Sequence, residues 1–165
     1  MKHKLKTLVI LTALLFGSVS VSYSQDYDKG LEAYNRGDYT EAFRILKPFA
    51  EKGDSVAQYS LGYIYANGDG VPQDYKSAVK WFRLAAEQGD SDAQSNLGHM
   101  YQYGIGVPQD YVLAHMWYNI SASNGFTSER NFRDIIAGKM TSEQIAKAQQ
   151  MARECQLKDY KDCHR

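Results

Sequence analysis

Residues 54–89, DSVAQYSLGYIYANGDGVPQDYKSAVKWFRLAAEQG, run without a gap into residues 90–125, DSDAQSNLGHMYQYGIGVPQDYVLAHMWYNISASNG. At a shift of 36 the two stretches agree at 18 of 36 positions. The agreement is concentrated in residues that shape a backbone. Asp54-Ser55-x-Ala57-Gln58 returns as Asp90-Ser91-x-Ala93-Gln94, and Leu61-Gly62-x-x-Tyr65 returns as Leu97-Gly98-x-x-Tyr101. The run Gly70 to Tyr75 returns unchanged as Gly106 to Tyr111, while Ala78, Trp81, Ala86 and Gly89 return as Ala114, Trp117, Ala122 and Gly125. A fixed period of this size marks a repeat architecture, in which each unit is one supersecondary element that buries its apolar face on its neighbours.

Each unit reads as two helices. Asp54 or Ser55 can cap the first, which carries Ala57, Leu61, Ile64 and Tyr65 at helical spacing. Gly68 and Gly70 end it, and Val71-Pro72 forces an extended turn, because a residue before proline avoids the α region. Asp74 caps a second helix with Ala78, Trp81, Phe82 and Ala85 on its inner side. Gly89 closes that helix where a left-handed residue is usual. Gly62 and Ala78 are expected on facing surfaces, with Trp81 filling the space beside them.

A shorter unit precedes these two. Gly30-x-x-x-Tyr34-x-x-Gly37-Asp38-Tyr39-Thr40-Glu41-Ala42 follows the same scheme and ends in Ala50 to Asp54. It lacks four loop residues, so the three units span residues 26–53, 54–89 and 90–125. After them, Thr141-Ser142-Glu143-Gln144 reads as a capping box opening a helix with Ile145, Ala148, Ala152 and Cys155 on one face. A shorter helix is expected around residues 128–136. Val112, Leu113 and Met116 replace Lys76, Ser77 and Lys80 of the middle unit, so the last hairpin has an apolar face that residues 127–165 are expected to cap.

Residues 1–24 read as a secretory leader: Lys2, Lys4 and Lys6, then an apolar run from Leu8 to Phe16, then small residues to Ser24. The apolar run is shorter than the ~20 residues of a membrane-spanning helix, so no stable membrane insertion is expected after cleavage. Without that segment the chain keeps 16 basic and 19 acidic side chains. Such a balance gives no reason to expect nucleic acid as a partner. The expected location is the bacterial periplasm or the medium. In that setting Cys155 and Cys163 form either a disulfide or two free thiols on a short tail.

Sites of chemistry are sparse. His99 and His115 stand on different helices, and neither they nor His164 have a metal-ligand spacing with the cysteines. The loop glycines follow a helix and lack a lysine, which argues against a phosphate loop. No serine lies in a nucleophile-elbow pattern. No cofactor, metal or catalytic residue is expected. Binding is better provided for. Residues two positions away from the Ala57, Leu61 and Tyr65 face point to the opposite side of the first helices. They are Tyr27, Leu31 and Asn35 in the first unit, Tyr59, Tyr63 and Asn67 in the second, and Ser95, His99 and Tyr103 in the third. Tyrosine supplies contact area and asparagine can hydrogen-bond a partner's backbone. Tyr63 and Tyr103 are expected to be replaceable at little cost in stability.

The pattern L-G-x-x-Y-x-x-G-x-G-V-x-x-D-x-x-x-A-x-x-W-x-x-x-A-A-x-x-G, with its shorter form before it, covers residues 26–125 and resembles the Sel-1-like repeat, a tetratricopeptide relative with a longer inter-helix loop. Met140 to Glu154 is similar to the usual end of bacterial members. The resemblance implies an all-α fold, a right-handed α-solenoid of three helix pairs with a helical C-terminal cap. First helices of such solenoids line the concave surface, so the nine residues above would form one groove. The resemblance also implies a scaffold that binds a protein, a peptide or a cell-wall component. The cysteine spacing is similar to the pairs of the cysteine-rich, β-lactamase-like members, which carry a pair in each repeat where this chain carries none. The alternative function is therefore a β-lactamase-like or peptidoglycan-acting hydrolase.

Overall fold

A computed structural model of the chain describes residues 24–124 and 127–163, so that the leader read over residues 1–24 lies, up to residue 23, outside the described residues. Eight helices and no strand are found among the described residues. The first hairpin is α1 (residues 24–35) and α2 (Tyr39–Glu51). The second is α3 (Ser55–Asn67) and α4 (Tyr75–Ala86), and the third is α5 (Ser91–Tyr103) and α6 (Tyr111–Ser123). Two further helices follow, α7 (Thr127–Ala137) and α8 (Ser142–Leu157). From α2 to α7 each helix lies against the next along the chain. This stacking is what an αα-hairpin with one apolar face requires.

The repeated residues act locally as caps. Asp54 and Asp90 accept hydrogen bonds from the amides of Ala57 and Ala93, both at 2.8 Å, and so satisfy an unpaired donor of the first turn. Asp74 and Asp110 do the same for α4 and α6. The loop glutamines close the other end. Gln73 donates to the carbonyl of Ala66 and Gln109 to that of Gln102, each at 2.8 Å. Gln58 and Gln94 are buried, and each donates to a carbonyl at the end of the preceding second helix, Ala50 or Ala86. These side chains hold one hairpin to the next by adding a second hydrogen bond to carbonyls that already accept from Gly53 and Gly89.

Inside each hairpin the approach of the two helices is set by a glycine and one bulky residue. A Cβ on Gly30, Gly62 or Gly98 would come within 2.7, 2.6 and 2.7 Å of Leu46, Phe82 and Tyr118 respectively. The ring of Phe82, one helical turn beyond Ala78, lies nearest to Gly62. A tetrahedral carbon at Gly62 would displace that ring, so the glycine is required by packing. Trp81 is half-buried against the core of the first hairpins, and its counterpart Trp117 is fully buried.

Both α7 and α8 lie against α6. Met116 and Trp117 are completely buried, while Val112 and Leu113 are half-buried. The capping box at the start of α8 is formed in both directions, with the Thr141 amide donating to Gln144 Oε1 and the Gln144 amide donating to Thr141 Oγ1. Ala148, Ala152 and Cys155 form its buried face. Cys155 is joined to Cys163 in a disulfide. The turn between them brings the Tyr160 ring against Gly89 at the end of the second hairpin.

Candidate functional site

The first helices α1, α3 and α5 present the nine expected positions in three tiers. Tyr27, Tyr59 and Ser95 form the tier nearest the helix starts, and each is partly buried by a specific neighbour. The Tyr27 hydroxyl donates to Asp54 at 2.9 Å, and its ring lies 5.0 Å from that of Phe49. Tyr59 rests on the Phe82 ring at 5.8 Å. The Ser95 hydroxyl donates to Glu129 of α7 at 3.0 Å, so α7 partly covers this end of the face.

The middle tier is Leu31, Tyr63 and His99. Leu31 is half-buried against the first core. Tyr63 meets the edge of Tyr34 at 5.8 Å and lies 5.9 Å from Tyr39, which are themselves 5.5 Å apart. Three rings from α1, α2 and α3 thus form one cluster, an arrangement that favours edge-to-face geometry. His99 is exposed, and its ring lies 4.7 Å from Tyr103. Partial shielding of the imidazole from water by its neighbours holds the His99 pKa below its ordinary value. The last tier, Asn35, Asn67 and Tyr103, is exposed, with Tyr103 at 59%.

Asn67 and His99 come together at the rim of a cavity of about 240 Å³ between the second and third hairpins. Its walls include Phe82, Met100 and Ile105, and Asn96 adds a third polar group. Tyr34, Tyr39 and Asn96 belong to this surface without having been picked from the sequence. The first and third sit beside chosen positions at the i+3 or i+1 step that a strict spacing of four leaves out, although a helix face includes both i+3 and i+4 neighbours. Phe132 of α7 is 45% exposed, and its ring lies 5.6 Å from that of the buried Tyr118 on α6.

The electrostatics of the face are acidic. Burial, reinforced by the carboxylate of Asp92, pushes the Tyr59 phenol up to about 12. Burial likewise raises Tyr34, helped by the neighbouring tyrosines and by Asp92. Tyr39 is raised by its surroundings, by Tyr63 and by Asp69. Among the described residues no group of histidines, cysteines and carboxylates could hold a metal ion. Both cysteines are engaged with each other, which leaves neither as a thiolate nucleophile. No helix among the described residues is long and apolar enough to cross a membrane.

The hairpins have counterparts in known proteins. A family model described as the Sel1 repeat matches residues 15–54, 55–90 and 91–126. A search of curated proteins finds no match. Among solved structures, c5321, described as a protective antigen present in uropathogenic Escherichia coli strains displaying an SLR fold, superposes with a TM-score of 0.77 at 30% identity. The alignment covers 86% of this chain and 31% of c5321. A Sel1 repeat protein from Oxalobacter formigenes superposes with a TM-score of 0.65 at 32% identity, over 78% of this chain and 55% of its own. The chain thus spans about a third of one relative and about half of the other. Its three matched stretches make up most of its length, and each includes one of the helical hairpins: the chain belongs to the Sel1 repeat family.

Proposed function

We propose that this chain is an exported adaptor that presents the face of its stacked first helices to a protein, peptide or cell-envelope partner. Sel1 repeat proteins are generally protein-interaction scaffolds, and the fold here carries no arrangement that suggests another use among the described residues. The observation that carries the reading is the exposed run Asn67, His99 and Tyr103, which joins α3 and α5 beside an open cavity. Aromatic and amide side chains in such a place give contact area and backbone hydrogen bonds without the cost of burying charge. Export rests on the leader-like residues 1–24, and the disulfide suits an oxidising compartment.

A photo-crosslinking amino acid placed at Tyr103, and separately at Lys47 on the exposed side of α2, tests the adaptor reading in intact cells. Partner adducts should form at position 103 and be few at position 47. Equal labelling of both positions would remove the face from consideration. Intact mass of the recovered protein should begin near Gln25; retention of Met1 to His3 would remove the export reading.

A further inference from the structure

The basic side chains of the second and third hairpins are segregated. Lys76, Lys80 and Arg83 lie on α4, whereas no lysine or arginine occurs from residue 53 to 75 or from residue 84 to 129. Helices α3 and α5, with the loops that follow them, therefore contain no permanent cation. They do carry Asp69 and Asp92, both exposed, and neither takes part in an ion pair among the described residues. Tyr59 rests at 5.8 Å on the ring of Phe82, a wall of the cavity between the second and third hairpins, and the Asp92 carboxylate acts on its phenol. One turn further along α5, Asn96 marks the mouth of the cavity whose walls include Phe82, Met100 and Ile105. That cavity, about 240 Å³, suits one leucine-, methionine- or phenylalanine-sized side chain. The distance from Asp92 to Asn96 is four residues of helix, about 6 Å, which two residues of extended chain also span at about 3.3 Å each.

We propose that this face docks an extended segment of another protein in which a lysine or arginine and a large apolar side chain stand two positions apart, the apolar side chain entering the cavity between Asn67, Asn96 and His99 and the cation lying over Tyr59 against Asp92. The inference rests on the adaptor reading and gives it a ligand. Side chains at i and i+2 of an extended chain point the same way, so both reach the face together. The cation gains from the π-face of tyrosine as well as from the carboxylate. Asn67 and Asn96 are then free to pair with the segment's backbone, although the Asn96 amide donates to the Asp92 carbonyl when no segment is bound.

The experiment uses the full mature chain with three fluorescein-labelled dodecapeptides, (Lys-Ser-Leu-Ser)3, (Glu-Ser-Leu-Ser)3 and (Lys-Ser-Ser-Ser)3, read by anisotropy and by amide chemical shifts. The first should bind at least tenfold more tightly than either other, weaken with added salt, and move the amides of Tyr59, Asn96 and His99. Asp92→Lys should reverse the preference between the first two, and Asn96→Phe, which closes the cavity mouth, should abolish the advantage of leucine over serine. Circular dichroism checks that both variants fold, since both positions are accessible to solvent. Equal binding of the lysine and glutamate peptides, or an unchanged preference in Asp92→Lys, overturns the proposal while leaving a groove in place if the same amides move. Movement of those amides with protein concentration alone would identify a second copy of the chain as the occupant and also overturn it. If no peptide moves them, the proposal falls, and crosslinking at Tyr103 decides separately whether the adaptor reading stands.

Discussion

Gly70 sits so close to Thr40 that a Cβ placed on it would stand 2.5 Å from the Thr40 backbone nitrogen. Its counterpart Gly106 has the same relation to Tyr75, with the carbonyl oxygen at 2.5 Å. Thr40 and Tyr75 both lie in the first turn of the second helix of the preceding hairpin. The longer inter-helix loop of the repeat is thus a clamp, which lays its second glycine on the backbone of the hairpin before it. The first hairpin has nothing before it to clamp among the described residues, and it is the unit that lacks the four extra loop residues.

Gly70→Ala should therefore cost about 2–4 kcal/mol, from the left-handed φ of +79° and from backbone that cannot move aside. Gly53→Ala is the control. Gly53 also has a positive φ, +102°, but nothing lies within 4 Å of its Cβ position, so the cost should be only the conformational ~1–2 kcal/mol. Urea unfolding midpoints of the two variants compare them directly. Equal losses would mean that the loop does not bear on the preceding hairpin.

The tyrosines of the first-helix face should not behave alike. Tyr103 is 59% exposed, and Tyr103→Ala should change stability by no more than about 0.5 kcal/mol. Tyr63 closes the ring cluster with Tyr34 and Tyr39, so Tyr63→Ala should cost about 1–2 kcal/mol through lost ring packing. Leu61→Ala, at a completely buried position, should exceed both at about 2–5 kcal/mol. Thermal melts of the three proteins give the order, and a Tyr63 variant as stable as the Tyr103 variant would show that the cluster contributes nothing.

That difference marks where the sequence could and could not be read. The helices, their aspartate caps and the capping box at Thr141 depend on residues a few positions apart, and local spacing makes them legible. Spacing within α3 turns Tyr63 away from Leu61 and so implies a surface ring. Its burial comes from Tyr34 and Tyr39 on the neighbouring hairpin, contacts that no spacing within α3 encodes. The same holds for Ser95, which is engaged by Glu129 from a helix beyond the repeats. That the Phe82 ring lies nearest to Gly62 depends likewise on the helix crossing, which local spacing does not encode.

The C-terminal helices should be needed for folding of the third hairpin. Removing residues 127–165 would strip Phe132 from Tyr118 and take away the two helices that lie against α6, and an uncovered apolar surface aggregates. Size-exclusion chromatography should show loss of the monomer peak. The disulfide offers a milder cut, since reduction should lower stability by about 2–3 kcal/mol from loop entropy and loosen Tyr160 from Gly89. A truncated chain that stays monomeric with an unchanged Tm would show that α7 and α8 are dispensable.

His115 gives a pH dependence whose sign can be worked out. It is 2% exposed on α6, its Nδ1 has no hydrogen-bond partner, and Arg133 and Asp134 of α7 are its charged neighbours. Burial lowers its pKa, Arg133 lowers it further, and Asp134 opposes them. A folded-state value below the unfolded one means that the unfolded chain takes up the proton first as pH falls. Stability is therefore fully present above the unfolded value of about 6.5 and declines as pH drops through it toward the folded value. From pH 7.5 to 5.5 the loss from one such histidine is bounded at about 1.4 kcal/mol. His99, also lowered by partial shielding from water, contributes in the same direction. Urea midpoints for the wild-type chain should fall over that interval, and His115→Gln should flatten the fall without removing the part due to His99. A steeper fall in His115→Gln, or none in either protein, would show that the buried imidazole is protonated as readily in the folded chain as in the unfolded one.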